Sequence, residues 1–294
     1  MIGATPTRNQ RLTNVVLWGI AVGYVVEGLF TAIAPNVITF PIFVVLLFAF
    51  ILIHGTRRYG WKGIVVFIVV TLIVSNILEN LSIVTGFPFG HYYYTAALGP
   101  KLFLVPILIG PSYVSFGYLA WVLSSILVGE VRRRSSFLTT VAVPLVASFI
   151  MVAWDLSLDP TASTIQQNWI WTQGGGYFGV PISNFLGWSF TVYVFFQLFA
   201  LYVRQRGSED LSRATPITHN LQVILVYMWQ GLRFVVVYLL SANTQVTDAV
   251  GRVWRTGDIY ETSAIIAIYT MIFISILSLV ILSKDQLKQK MSWP

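Results

Sequence analysis

Five charged side chains lie where a lipid-embedded chain has most reason to exclude them. Glu27, Glu79 and Arg233 fall inside long apolar runs, and Asp155 and Asp159 stand at the end of another. A charge at a helix centre in hydrocarbon costs roughly 2.5–3.5 kcal/mol on insertion scales. Three such charges approach about 10 kcal/mol, comparable with a whole domain's net stability, so their partners must compensate. At about 1.5 Å per residue, Glu27, Glu79 and Arg233 fall in one layer of the bilayer only a few ångströms thick. Asn76 and Asn80 flank Glu79 at i−3 and i+1 and make a polar stripe with it. Carboxyl groups in such surroundings supply the two states, neutral acid and ionised base, that general acid–base catalysis requires. A structural ion-pair network is the competing use of the same residues. In it Arg233 neutralises one carboxylate and the asparagines join helices.

The elements that must position these groups are membrane helices. The chain has 294 residues, of which 56% are hydrophobic and 10% charged. A soluble domain carries about 25% charged residues, so most of this surface faces lipid. Backbone groups in hydrocarbon need internal partners, which leaves helix bundles or closed barrels, and apolar runs of about 20 residues select helices. The pattern predicts an all-α, polytopic transmembrane bundle of about eight spans in a single domain over 1–294. The spans fall at about 14–34, 37–54, 62–84, 102–129, 136–157, 181–203, 219–241 and 262–283, the first two joined through Pro35-Asn36. Pro106, Gly110 and Pro111 predict a kink or break in the fourth. Ala32-Ile33-Ala34 resembles a leader cleavage site, but the run before it is long and holds Glu27, so it is read as a retained span.

Of the 18 lysines and arginines, only Lys101, Arg233, Arg252 and Arg255 fall outside alternate loops and termini. The positive-inside rule then places both termini in the cytoplasm, and an integral protein of the cytoplasmic (plasma) membrane is expected. This clustering explains the net charge of +7 without nucleic acid. There is no cysteine, so thiolate chemistry is excluded. The acids take the opposite side: only Glu130, Glu209, Asp210 and Asp285 are expected in the cytoplasm. Two outer loops are dense in rings. One reads Gly86-Phe-Pro-Phe-Gly-His91-Tyr92-Tyr93-Tyr94, the other runs from Trp154 through Trp169, Trp171 and Tyr177 to Asn184 and Trp188. An interfacial aromatic belt accounts for any one of these rings, but not for their concentration beside the acids. Gly174-Gly175-Gly176 lacks the residues of a phosphate loop and reads as a tight turn. His54 and His219 sit at cytoplasmic boundaries, so no histidine pair is expected to hold a haem across the bundle, and no metal or other cofactor is expected.

The run from Glu79 through Gly86-Phe-Pro-Phe-Gly-His-Tyr-Tyr-Tyr94 and Pro106 resembles the membrane-bound carotenoid hydratases of the CruF type. So do Trp154-Asp155-x3-Asp159-Pro160, Trp169-x-Trp171, Tyr177-Phe-Gly-Val-Pro181 and Asn184-Phe-Leu-Gly-Trp188. That family includes the bisanhydrobacterioruberin hydratases of archaea and the carotenoid 1′,2′-hydratases of bacteria. The resemblance covers about residues 75–190. It implies addition of water to the terminal double bond of an acyclic ψ-end, in a lycopene-like or C50 carotenoid, without a cofactor. The residues fit that chemistry: Glu79 and Asp155 carry the proton transfers, with Asp159 and Glu27 as alternates. Arg233 sets their charge states, and Asn76, Asn80, His91, Tyr92 and Asn184 position substrate or water. Trp154, Trp171, Trp188 and Tyr177 wall the tertiary cation with ring faces. The partners implied are a carotenoid, membrane lipid and other enzymes of the same pathway.

Other classes remain open to the sequence. A carotenoid cyclase shares the protonation step and differs in what quenches the cation. A carotenoid or lipid transporter would show inverted repeats or helices broken at midplane, for which the kink near Pro111 is the one hint. A prenyltransferase needs a second aspartate-rich motif besides Asp155-x3-Asp159, and it is missing. A retinal protein needs a lysine inside a span, and none is there.

Overall fold

The computed structural model describes residues 8–33, 39–206 and 217–291. Among these, seven helices are long and apolar enough to cross a bilayer, so the chain is a helical membrane protein. Helices α1 (Arg8–Ile33) and α2 (Thr39–Thr85) come first, and the turn expected at Pro35-Asn36 lies outside the described residues. An unbroken α2 of 47 residues would be about 70 Å long, more than twice the hydrocarbon thickness of a bilayer. It breaks at Gly60 (φ 67°, ψ 168°), a conformation in which a Cβ is strained. Gly55 before the break packs against Ile64 after it, and Gly63 against Tyr59. Residues nine apart touch this way only if the chain doubles back. The two arms of α2 are therefore separate spans, and the described residues make the eight crossings expected.

The fourth span differs from the sequence reading. Lys101-Leu102 (β2) and Val105-Pro106 (β3) pair as a tight antiparallel hairpin, and α3 starts only at Ile109 and runs to Val128. Pro111 sits in the first turn of α3, where its missing N–H has no intrahelical partner to lose, so it marks a helix start and not a kink. Every residue of α3 from Ser112 to Ser125 is buried. It is the central post of the bundle, apolar on all sides because neighbours cover every side.

Helix α4 (Phe137–Asp159) tolerates Pro144 in its interior. The carbonyl of Thr140, freed four residues earlier, accepts from the Gln197 amide of α5 (Ile182–Arg206) at 3.4 Å. At its outer end α4 continues into a π-helical turn, Pro160–Ile165. Helix α6 spans Ile217–Leu240, and α7 (Thr256–Ala267) passes through a second π-helical turn into α8 (Phe273–Met291). The loops at this end of the bundle carry two more short ladders, β1 (Tyr92–Tyr94) with β4 (Trp169–Trp171) and β5 (Gln245–Thr247) with β6 (Val253–Arg255).

The opposite end of the bundle holds a buried polar knot. Arg58 bonds Glu130 at 2.8 Å and Asn220 at 2.7 Å. His54 and His219, read from sequence as boundary residues, are both buried and stack with ring centroids 3.5 Å apart. Both nitrogens of His54 are engaged, by the Tyr118 hydroxyl and the His219 carbonyl. The pair thus packs face to face, with both His54 nitrogens engaged and both His219 ring nitrogens buried without a hydrogen-bond partner. Among the described residues no three His, Cys, Asp or Glu side chains gather as a metal site.

Candidate functional site

The β1–β4 ladder begins the site. Its register sets Tyr92 against Trp171 and Tyr94 against Trp169. Strand side chains alternate, so these four rings share the inward face, while Tyr93 between them is half exposed. Beneath them Glu79, near the end of α2, is buried and accepts three phenolic hydrogen bonds. Tyr92 and Tyr94 (3.0 Å) donate to Oε2, and Tyr113 of α3 donates to Oε1 at 2.6 Å. Tyr92 and Tyr94 lie outside the spans. Burial first, and then the adjacent Glu79 carboxylate, hold both phenols well above the ordinary tyrosine range, which keeps them donors.

Asp155 and Asp159 are one helical turn apart on α4, both buried, and one side chain joins them. Asn184 Nδ2 donates to Asp155 Oδ2 at 3.0 Å and to Asp159 Oδ2 at 2.5 Å. Asp159 also accepts from the indoles of Trp169 (2.8 Å) and Trp171 (3.4 Å). The motif around Asn184 explains itself by position. Asn184 and Trp188, at i and i+4, face the carboxylates, whereas Gly187 faces the 86–91 loop. A Cβ on Gly187 would lie 2.7 Å from the Pro88 backbone. Ser183 ties the same loop through the Phe89 carbonyl at 2.9 Å.

These groups line one cavity of about 550 Å³, a size typical of ligand sites. Its walls are aromatic: Trp154 stacks on Phe116 (centroids 3.7 Å apart), and Trp188 lies parallel to Tyr113 at 4.5 Å. Of the residues singled out from sequence, Glu79, Asp155, Asp159, Tyr92, Asn184, Arg233, Trp154, Trp171 and Trp188 line it. The others are placed elsewhere. Glu27 lies behind the wall, 3.8 Å from Arg233 and accepting from Thr31 at 2.6 Å. Arg233 therefore pairs with Glu27, and not with Glu79 or Asp155. Asn80 donates to the Asn76 carbonyl at 2.7 Å and accepts from the Leu104 amide at 3.0 Å, which straps the β2–β3 hairpin to α2. His91 is exposed and packs over Gly86. Tyr177 donates to the Leu156 carbonyl at 2.9 Å. Sequence reasoning missed Tyr94, Tyr113 and Trp169 as carboxylate donors. Tyr94 and Trp169 stood in the quoted motifs, but Tyr113 is one of two tyrosines in an apolar helix and gave no signal.

A bundle of membrane-crossing helices thus encloses three buried carboxyls around one ring-walled cavity. The pattern of the carotenoid biosynthesis protein family matches residues 39–253, and the chain belongs to that family. It is also 30% identical over 160 residues to the bisanhydrobacterioruberin hydratase of Haloarcula japonica, across 53% of this chain and 51% of that protein. The match thus spans about half the length of that relative. No solved structure matches the chain.

Proposed function

We propose that this protein is a carotenoid hydratase that adds water to the terminal C=C of an acyclic ψ-end, acting as a single domain of the plasma membrane without a cofactor. The observation that carries this reading is the unequal sharing of donors among three buried carboxyls in one cavity. Glu79 and Asp159 each accept three side-chain hydrogen bonds, whereas Asp155 accepts one. Hydrogen bonds donated to a carboxyl group favour its ionised form, and Asp155 receives the fewest. Asp155 keeps an oxygen free to carry a proton, and it delivers that proton to the terminal alkene. A tertiary cation follows, facing the Glu79 carboxylate and the faces of Trp154 and Trp188. Water adds to the cation, and its surplus proton returns to the Asp155–Asp159 pair, so no net acid is consumed. The family and the hydratase name of the Haloarcula relative support this assignment.

The test is pigment mass spectrometry on bacteria expressing the protein together with lycopene or with a C50 acyclic precursor. A gain of one or two waters, absent with Glu79→Gln or Asp155→Asn at normal protein levels, is expected. An isomer of unchanged mass replaces hydration by cyclisation. Unchanged pigments in both strains, or full activity in both variants, refute the reading.

A further inference from the structure

Two stripes of the helix formed by α4 and its π-helical extension line the cavity. One carries Asp155, Asp159 and Ala162, the other Trp154, Leu158 and Thr161. On the first stripe Asn184 bonds both carboxyl groups, and Trp169 and Trp171 bond Asp159. On the second, Trp154 Nε1 and Thr161 Oγ1 are buried and have no partner. Ser263 of α7, which packs beside the π-helical turn, also lines the cavity, and its Oγ is likewise unpartnered. Buried polar atoms are nearly always satisfied, and each one left bare costs about 1–3 kcal/mol. Three of them around one cavity, from two adjacent elements, ask for a small polar guest. A carotenoid end is hydrocarbon and cannot serve. Water can, because it donates and accepts in several directions and the neighbouring void gives it room once either hydroxyl turns about χ1.

We propose that Thr161, Ser263 and the Trp154 indole N–H hold the water molecule that captures the cation, one stripe away from the carboxyl that creates it. This rests on the hydratase reading and deepens it by separating proton delivery from oxygen delivery. In the step itself, Asp155 protonates the CH carbon of the terminal alkene. The water oxygen then bonds the tertiary carbon and loses its proton to the carboxylate pair. Thr161 and Ser263 are positioning residues: without them the cation still forms, but a carbon next to it returns a proton to the carboxylate pair, re-forming an alkene, more often than the cation gains oxygen.

That difference is measurable as a partition. Membranes containing the protein are incubated in D2O with lycopene or the C50 precursor. Hydrated product and deuterium in unhydrated carotenoid are then read by mass spectrometry. In Thr161→Val/Ser263→Ala the ratio of hydrate to deuterated carotenoid should fall about tenfold, the weight of one or two ordinary hydrogen bonds, while deuterium incorporation persists. Thr161→Ser should keep the wild-type ratio. A double variant with an unchanged ratio overturns the proposal, as does one in which hydrate and deuterium fall together. If the double variant fails to accumulate, each single substitution reads the same ratio with about a threefold expected change. A wild-type protein that yields no hydrate from either substrate overturns the hydratase reading itself, an outcome separate from the others.

Discussion

Asn184→Ala tests the joint between the two aspartates. Asn184 is almost fully buried, and among the described residues its Nδ2 is the only side-chain donor bonded to Asp155 and one of three bonded to Asp159. A hydrogen bond to an ionised group contributes ~1.5–3 kcal/mol and one to a neutral acid ~0.5–1.5 kcal/mol, so losing one of each gives a gross ~2–4.5 kcal/mol. Water entering from the adjoining cavity replaces part of this, and a net loss of ~3 kcal/mol is expected. At ~2–4 °C per kcal/mol for a chain of this class, the melting temperature should fall by about 6–12 °C. Turnover should fall by about 100-fold or more, because Asp155 loses what orients it. The first quantity is read by heating detergent-solubilised protein and following the monodisperse fraction on size-exclusion chromatography, the second from hydrate formed in membranes. Asn76→Ala is the control. The Asn76 side chain accepts only from Asn80, at 3.2 Å and away from the cavity, and its loss should cost less than about 1 kcal/mol. If Asn184→Ala melts within about 3 °C of wild type and turns over within about threefold, the bridge is not what holds the pair.

Two further outcomes follow from the same geometry. Tyr113→Phe removes one donor from Glu79 but keeps the ring stacked on Trp188; turnover should drop about 10- to 100-fold with little change in melting temperature, and a large loss of fold would refute the division of labour. Asp248, in the outer loop, is held below the ordinary aspartate range: burial works against this, but bonds from the Trp254 indole and the amides of Arg252 and Val250, with the Arg252 guanidinium, outweigh it. A depressed folded value means the stabilisation is present above the unfolded value of about 3.9 and fades as pH falls through the folded one. Protease resistance of the β5–β6 loop should therefore decline below about pH 4 in wild type, and lose that dependence in Asp248→Asn.

The helices were legible because runs of about 20 apolar residues have few other uses, and Glu79, Asp155 and Asn184 stood out as polar groups within or beside them. The start of α3 was not legible. Leu102-Phe103-Leu104-Val105 is as apolar as a helix, yet it turns a hairpin with Phe103 at φ 57°. Hydropathy registers the preference for lipid and is blind to that backbone reversal. The polar stripe on α2 was too coarse a statement. Asn80 follows Glu79 by one residue, about 100° around the helix, far enough for it to serve the Leu104 amide while Glu79 serves the cavity. The pairing of Arg233 with Glu27, and the stacking of His54 on His219, join residues more than 160 positions apart. Periodicity within a helix carries no information on such meetings.

Helix α3 is the membrane-crossing helix most completely enclosed by the others. Its side chains face protein more than lipid, so docking against its neighbours does most to hold it. Its place in the membrane is thus secured by assembly more than by its own partitioning, and Tyr113, the third donor to Glu79, arrives with it. A chain whose outer helices have inserted but whose central post has not docked would be lodged in the bilayer and still lack a finished proton site. Insertion and competence are separate milestones for this protein, and the second waits on the helix that its neighbours enclose most completely.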